Sequence, residues 1–181
     1  CEGLNLYEPY SDSFTRITLP GMGHYGYIFD IIQTSSGDII FMVSGVGPYI
    51  LDFSSETPTA VKFMPHIENL SDINSLAESA KGEVVGGSHS GDIITVAPNG
   101  QARIHHLADT YIKILTRDRN GNFFIATTTK AWRWNPKDGA FTPISIPEPY
   151  NPVLDCATPT SEGNFLVGTI GNGVFILEKG S

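Results

Sequence analysis

The phrase RNGNFFIAT at residues 119–127 returns as SEGNFLVGT at residues 161–169. Each has a polar residue, Gly and Asn, followed by an apolar run that ends in a small residue and Thr. Related phrases surround Gly37 and Gly82, so that Gly37, Gly82, Gly121 and Gly163 follow one another at spacings of 45, 39 and 42 residues. A period near 40 residues is typical of propeller blades, in which each unit is an antiparallel sheet of four strands.

Each of these four glycines marks a predicted hairpin. A two-residue hairpin turn requires positive φ, which Gly adopts at low cost, and a polar residue stands before each Gly. The segment after each Gly is apolar at nearly every position, as in DIIFMVS and NFFIAT. Strands with this composition are buried on both faces, which a single sheet cannot provide but a neighbouring sheet can. The sequence therefore predicts an all-β propeller of four-stranded antiparallel blades.

The repeat divides residues 1–181, taken as one domain, into a series of units. They are a partial unit at 3–19 and further units at 27–66, 72–107, 111–147 and 152–178. The best helical candidate, NSLAESAKG at 74–82, falls on the first strand of a unit, so we predict a strand there and almost no helix. We expect about four blades that form an arc of a larger, seven-bladed type of propeller. A closed small propeller is the alternative.

The charge of the chain restricts its partners. The formal net charge is −8 and the pI is about 4.9. Such a field repels phosphate backbones, so we predict no nucleic-acid partner. No apolar run approaches the roughly 18–20 residues that span a bilayer, so we predict no membrane contact by this segment. The opening CEGLNLYEP has neither the basic nor the apolar segment of a signal peptide.

Three residue groups invite a chemical interpretation, and each has a structural one that we favour. His105 and His106 are adjacent, so a strand turns them to opposite faces. Asp118 begins a sequence that resembles the start of a calcium loop, yet its Gly comes too early and a hairpin explains it better. SHSGD at 88–92 holds Ser, His and Asp, but a triad is a spatial arrangement and neighbours in sequence rarely form one. We predict no catalytic residue, no metal site and no cofactor.

The two cysteines, Cys1 and Cys156, suggest neither a disulfide framework nor a metal site. Alternation along VLDCAT places Cys156 on the same strand face as Leu154. We therefore predict that Cys156 is a buried, inert thiol. Cys1 is either a lipid-bearing residue or the place where a longer chain was cut.

A ligand is expected on the loops rather than the strands. In a four-stranded blade the loops between strands two and three share one face of the ring with the connections between blades. Aromatic rings there stack on sugars, while amides and hydroxyls form hydrogen bonds. An ordinary role as loop residues is the alternative for each candidate. The candidates are His24, Tyr25, Tyr27, His66, His89, Lys130, Tyr150 and Asn172.

The repeat resembles the two-component regulator propeller repeats. The resemblance is carried by residues 120–144, 162–178 and 3–17, and it extends over essentially the whole chain. The sequence departs from the family pattern where Trp is usual, with Ile40, Val85, Phe124 and Leu166 at that position. The unit at 72–107 is the most degenerate, because Glu83 and the pair Gly86–Gly87 interrupt its second strand.

The resemblance implies a non-catalytic sensor. Proteins with these repeats form the periplasmic part of hybrid histidine kinases, so it implies a periplasmic or extracellular location within a membrane-anchored protein. The expected ligand is an oligosaccharide or another small molecule, and the expected protein partners are other blades or a second copy in a homodimer. Two alternatives stay open. One is a lyase propeller similar to streptogramin lyases, with His24 or His89 as the candidate base, and the other is a pure protein-interaction scaffold.

Overall fold

The computed structural model describes residues 3–20, 26–64, 66–67, 70–146 and 152–178. Apart from one three-residue 3₁₀ turn at Leu70–Asp72, the elements of these residues are β-strands, as predicted. Contacts divide the chain into two compact units, Cys1–Ile73 and Asn74–Ser181, and each is described by itself. None of the described residues belongs to a helix that is long and apolar enough to cross a membrane.

The first unit contains a two-stranded and a four-stranded antiparallel sheet. The two-stranded sheet pairs β1 (Asn5–Glu8) with β2 (Ser13–Arg16). The four-stranded sheet consists, in order, of β3 (Ile28–Gln33), β4 (Ile39–Val43), β5 (Gly47–Asp52) and β6 (Thr59–Lys62). Its core forms around the stacked rings of Phe41 and Tyr49, whose centroids are 5.9 Å apart, and includes Ile17 and Leu19.

The second unit contains two four-stranded sheets and one three-stranded sheet. The first sheet is β7 (Ile73–Glu78), β8 (Val84–Ser88), β9 (Asp92–Val96) and β10 (Ala102–His106). The second sheet is β11 (Ile114–Arg117), β12 (Phe123–Ala126), β13 (Ala131–Asn135) and β14 (Ala140–Ile144). The third sheet is β15 (Val153–Pro159), β16 (Phe165–Ile170) and β17 (Val174–Leu177). The helical candidate NSLAESAKG contributes most of β7, so the prediction of a strand there is confirmed.

Strand β12 shows why the second strands are apolar at successive positions. Phe123 and Ile125 pack with residues of β9 and β13 in one core cluster. Phe124 packs in the opposite direction, against Phe165 of β16, with ring centroids 5.3 Å apart. All four residues of β12 are buried. Because alternate side chains enter two different cores, the strand holds the sheets on either side of it together.

The repeated hairpins have a three-residue form, which corrects the prediction of two-residue turns. In each, the glycine amide donates to the carbonyl three residues earlier, as Gly121 does to Asp118 at 3.1 Å. The residue that accepts this bond also donates its own amide to the residue after the glycine, as Asp118 does to Asn122 at 2.8 Å. Positive φ falls on the glycine and not on the residue before it. This is a type I turn closed by a glycine bulge.

A polar side chain closes each of these hairpins, and this position is a feature of the repeat that the sequence analysis missed. The side-chain oxygen of Asp118 accepts the amide of Asn122 at 2.9 Å. The same bond, from the amide four residues on, is accepted by Thr34, Ser79 and Thr160. The hairpin unit is therefore Ser, Thr or Asp, two further residues, Gly, and then an acidic residue or Asn. The first position competes well for the turn amides because its oxygen is one or two bonds from Cβ.

Cys156 is exposed, so the prediction of a buried thiol is wrong. The pairing of β15 with β16 shifts register between Leu154 and Cys156. Leu154 is fully buried, but the irregularity breaks the simple alternation on which the prediction depended. The thiol lies over Gly168, where an added Cβ would be 2.7 Å from Sγ.

Candidate functional site

Five of the eight predicted ligand-face residues fall within the described residues. In the first unit, Tyr27 immediately precedes β3 and is 63% exposed, and His66 is exposed after β6. In the second unit, His89, Lys130 and Asn172 lie in the turns β8–β9, β12–β13 and β16–β17. The other three, His24, Tyr25 and Tyr150, lie outside the described residues.

These residues occupy different loops and have different neighbours. The ring of His89 lies 5.9 Å from that of Tyr111, which belongs to the connection between β10 and β11. Lys130 lines a cavity of about 400 Å³ together with Trp132, Pro143 and Ile146, named here the Lys130 cavity. The loop residues therefore contribute one candidate cavity.

The stretch SHSGD at 88–92 is another copy of the closed hairpin. The hydroxyl of Ser88 accepts the amide of Asp92 at 2.9 Å, and the amide of Gly91 donates to the Ser88 carbonyl. The carboxylate of Asp92 meets His106 of the neighbouring strand β10, with Oδ1 2.8 Å from Nδ1. These contacts give Ser88 a structural role in the turn.

His106 lies between two carboxylates. Its Nδ1 faces Asp92, and its Nε2 is 3.5 Å from Oδ1 of Asp109. The hydrogen bond to Asp92, then that to Asp109, raises the pKa of His106 above its ordinary value. The side chain is 60% exposed, so solvent weakens both interactions. His105 points away from this pair and stacks on Phe141, as the alternation along the strand predicts.

Asp118 is committed to its hairpin. One carboxylate oxygen accepts the amides of Asn120 and Asn122, and the other accepts the side-chain amide of Asn122 at 3.1 Å. The carboxylate therefore serves the turn, in agreement with the hairpin interpretation of this stretch. Among the described residues there is no group of three or more His, Cys, Asp or Glu side chains arranged to hold a metal ion.

A second cavity, of about 350 Å³, lies between the sheet β7–β10 and the sheet β11–β14. One wall is formed by Glu83, Arg103 and His105, and the other by Trp134, Pro136 and Phe141. We name it the inter-sheet groove. Its walls follow from strand alternation, because Arg103 and His105 pair with Thr95 and Ile93 and share their face.

An aromatic stack forms the apolar part of the groove. The rings of His105 and Phe141 are 4.3 Å apart with planes 9° from parallel. Phe141 in turn stacks on Trp134, at 5.4 Å and 5°. Behind this stack, the ring of Phe123 lies 5.0 Å from Trp134 and connects it to the core. The apolar wall is thus fixed in position by the packing of the two sheets.

An ion pair forms the charged part of the groove. Nη2 of Arg103 lies 2.6 Å from Oε1 of Glu83. The other oxygen of Glu83 accepts a hydrogen bond from the Ser79 hydroxyl at 3.0 Å. The Glu83 side chain is only 10% exposed, whereas that of Arg103 is 73% exposed. Glu83 therefore anchors Arg103, and Arg103 presents its guanidinium to solvent within the groove.

The groove lies outside the predicted ligand face, because its walls come from strands rather than loops. One indication was present: Glu83 interrupts an otherwise apolar second strand in the most degenerate unit. A carboxylate at a buried position requires a charged or hydrogen-bonding partner. The partner, Arg103, lies 20 residues further on in a strand that is not adjacent to β8, so sequence alone could not identify it.

Comparisons with known proteins agree on the fold. No protein-family model matches the chain, and no curated protein matches it. Among solved structures, the extracellular domain of the hybrid two component system BT4673 from B. thetaiotaomicron is similar, with 21% identity and a TM-score of 0.74 over 99% of this chain and 25% of that chain. The WD40 beta propeller domain of Doa1 has 17% identity and a TM-score of 0.71, over 87% of this chain and 52% of that chain.

An enzyme also has this fold. The virginiamycin B lyase from Staphylococcus aureus has 13% identity and a TM-score of 0.71, over 94% of this chain and 61% of that chain. The chain thus spans between a quarter and about three fifths of the lengths of these three solved structures. At these identities the likeness establishes the fold, which is that of β-propeller blades, as the repeat predicted.

Proposed function

We propose that this chain is the ligand-binding part of an extracytoplasmic sensor in a two-component signalling protein. The observation that carries the proposal is the inter-sheet groove, in which a fixed aromatic wall faces an anchored arginine. A cleft of this size falls at the lower end of those that hold small molecules. The likeness to the extracellular domain of a two-component protein supports the sensor role and the extracytoplasmic location.

The ligand that suits the groove best is a short oligosaccharide. Sugar rings offer C–H faces to aromatic walls and hydroxyls to polar side chains. The groove supplies both, with Pro136 and the ring edges left open by the stack of Phe141 and Trp134 on one side and Thr95, Lys81 and Arg103 on the other. Because the walls are built by strands, the groove is formed before the ligand arrives, and binding orders few additional residues.

Binding without catalysis is part of the proposal. Both oxygens of Glu83 already accept hydrogen bonds, from Arg103 and Ser79, which makes this carboxylate a poor general base. The hydroxyl of Ser88 accepts a turn amide in the hairpin. These commitments support a role in recognition, with any phosphotransfer located elsewhere in a parent protein.

The two tryptophans provide the test, because Trp134 lines the inter-sheet groove and Trp132 lines the Lys130 cavity. Trp132→Phe leaves Trp134 as the single tryptophan, and Trp134→Phe leaves Trp132, so that excitation at the red edge of tryptophan absorption reports on one site at a time. The 181-residue chain and both variants are titrated with a panel of oligosaccharides. We expect saturable changes in emission for the wild type and for Trp132→Phe, and a flat response of Trp134→Phe to the same sugar.

The other outcomes contradict the proposal in separate ways. A response retained in Trp134→Phe and lost in Trp132→Phe places the ligand in the Lys130 cavity instead. Conversion of the sugar to products, detected by chromatography, indicates a lyase-like enzyme. No change in emission with any oligosaccharide of the panel, together with a dimer detected by analytical ultracentrifugation, indicates an interaction scaffold.

A further inference from the structure

We propose that the inter-sheet groove selects oligosaccharides that carry carboxylates, such as those built from uronic acids, and that Arg103 is the residue that binds the carboxylate. This inference rests on the proposed function, because it names the ligand class for the same groove. Three observations carry it: the anchoring of Arg103, the local balance of charge and the position of the aromatic wall.

Arg103 is held by one edge and open along the rest of its guanidinium. Glu83 accepts a hydrogen bond from Nη2 of Arg103, and Glu83 is itself held in place by a hydrogen bond from Ser79 and by burial. A guanidinium has five N–H donors in a planar fork that matches a carboxylate in bidentate geometry. One pair uses part of that fork, while 73% of the Arg103 side chain remains accessible to solvent. An arginine oriented by a buried partner loses less conformational entropy when it binds a second carboxylate.

The groove is a positive site on an acidic protein. The chain has 19 Asp and Glu residues against 11 Lys and Arg residues. The groove reverses this ratio, because its lining holds Lys81, Arg103 and a single carboxylate, that of Glu83. The formal charge of these three side chains is therefore positive. A local cationic site on an anionic surface attracts an anionic ligand to that site and repels it from the remaining surface.

The aromatic wall explains why the anion is a sugar acid rather than an inorganic ion. Pro136 and the ring edge of Phe141 line the same cavity as Arg103 and contribute apolar surface that a bare anion cannot use. A uronic acid carries a planar carboxylate on a ring whose C–H groups pack against this apolar surface. The ring then packs against the apolar wall while the carboxylate pairs with Arg103. A neutral sugar has no carboxylate, so the free N–H donors of the guanidinium stay hydrated.

The test is calorimetry of the full chain with three probes: trigalacturonate, neutral galactotriose and a sulfated trisaccharide of the same length. A charged hydrogen-bonded pair is worth about 1.5–3 kcal/mol, so we expect trigalacturonate to bind roughly tenfold to a hundredfold more tightly than galactotriose. Arg103→Ala should remove that advantage, so that trigalacturonate and galactotriose bind the variant with similar, weak affinity. Arg103→Lys should restore only part of it, because an ammonium lacks the planar fork.

Arg119→Ala is the matched control, since Arg119 is an exposed arginine of the β11–β12 turn and is not among the residues that line the groove. It should keep the preference for trigalacturonate. Circular dichroism of each variant establishes that it is folded. If Arg119→Ala weakens binding as much as Arg103→Ala, the effect is one of net charge and Arg103 is not the binding residue.

The remaining outcomes separate this inference from the proposed function. Equal affinity for trigalacturonate and galactotriose overturns the carboxylate preference and leaves the sensor proposal standing. Tighter binding of the sulfated probe overturns carboxylate as the class. Binding of no sugar, acidic, neutral or sulfated, overturns both proposals.

Discussion

Gly91 occupies a position that leaves no room for a side chain. An added Cβ would lie 1.8 Å from the carbonyl oxygen of Ala108 and 2.9 Å from that of Thr110, and the φ of Gly91 is +89°. The obstructing atoms are backbone atoms of the connection between β10 and β11, which the amides of Leu107 and Ala108 fasten to the Gly91 carbonyl. The chain therefore depends on Gly91 both for its turn and for the path of the next connection.

Gly91→Ala should lower the free energy of unfolding by more than Gly171→Ala. Gly171 has a φ of +88° with nothing within 4 Å of an added Cβ, so its substitution costs only backbone strain of about 1–3 kcal/mol. Gly91→Ala adds overpacking of about 1–3 kcal/mol or more. Urea denaturation of both variants measures the difference, and equal midpoints would show that the Ala108 backbone moves aside freely.

His106 provides a pH-dependent contribution to stability at the residue scale. Its hydrogen bonds to Asp92 and Asp109 raise its pKa in the folded protein. Folding then favours the protonated imidazole. The contribution is present in full below the pKa of the unfolded chain, about 6.5, and it is lost as the pH rises through the raised folded-state pKa.

His106→Gln should therefore lower the urea midpoint most at mildly acidic pH and progressively less as the pH rises above neutrality. His66→Gln, at an exposed histidine of the first unit, is the comparison variant, and an identical pH dependence in both variants would contradict a specific role for His106. NMR titration of the imidazole measures the cause directly, because Asp92→Asn should bring the pKa of His106 down. An unchanged pKa in that variant would contradict the assignment.

At the element scale, the repeated hairpins show which features of a turn can be predicted from sequence. The glycines indicated the turns because positive φ restricts the residue type strongly. The three-residue length and the closing side chain were not predicted, because three residue types, Thr (Thr34 and Thr160), Ser (Ser79) and Asp (Asp118), form the same hydrogen bond. Their shared property is a side-chain oxygen that accepts a hydrogen bond from the amide four residues further on. Sequence similarity alone does not reveal this property.

Asp118→Ala should destabilise the protein by about 1–3 kcal/mol, because Asp118 is buried and the amides of Asn120 and Asn122 lose their acceptor. Asp118→Ser should recover most of this loss, since Ser79 closes the equivalent hairpin between β7 and β8. Thermal or urea denaturation compares the two variants. Equal destabilisation by Ala and Ser would mean that the carboxylate, rather than the closing hydrogen bond, is required.

At the scale of the whole molecule, the fold was predictable and the groove was not. A period near 40 residues with strands apolar on both faces admits few architectures, so the repeat alone led to propeller blades. The pairing of Glu83 with Arg103 reaches across β9 within one sheet, and the groove also depends on how that sheet faces the next; no local pattern encodes either. Cys156 was misplaced for a similar reason, because one register shift in β15 is invisible in the alternation of its residues.

The closing hydrogen bond of the hairpins equips the protein with a set of internal reporters. The amides of Asp38, Glu83, Asn122 and Asn164 each donate the same closing hydrogen bond, and each belongs to the hairpin of a different sheet. Once each hydrogen-exchange rate is divided by the rate of the same amide in the unfolded chain, it reports the opening of the sheet that the bond closes. Four amides, read side by side in one spectrum, would resolve the unfolding of the molecule sheet by sheet without any mutation.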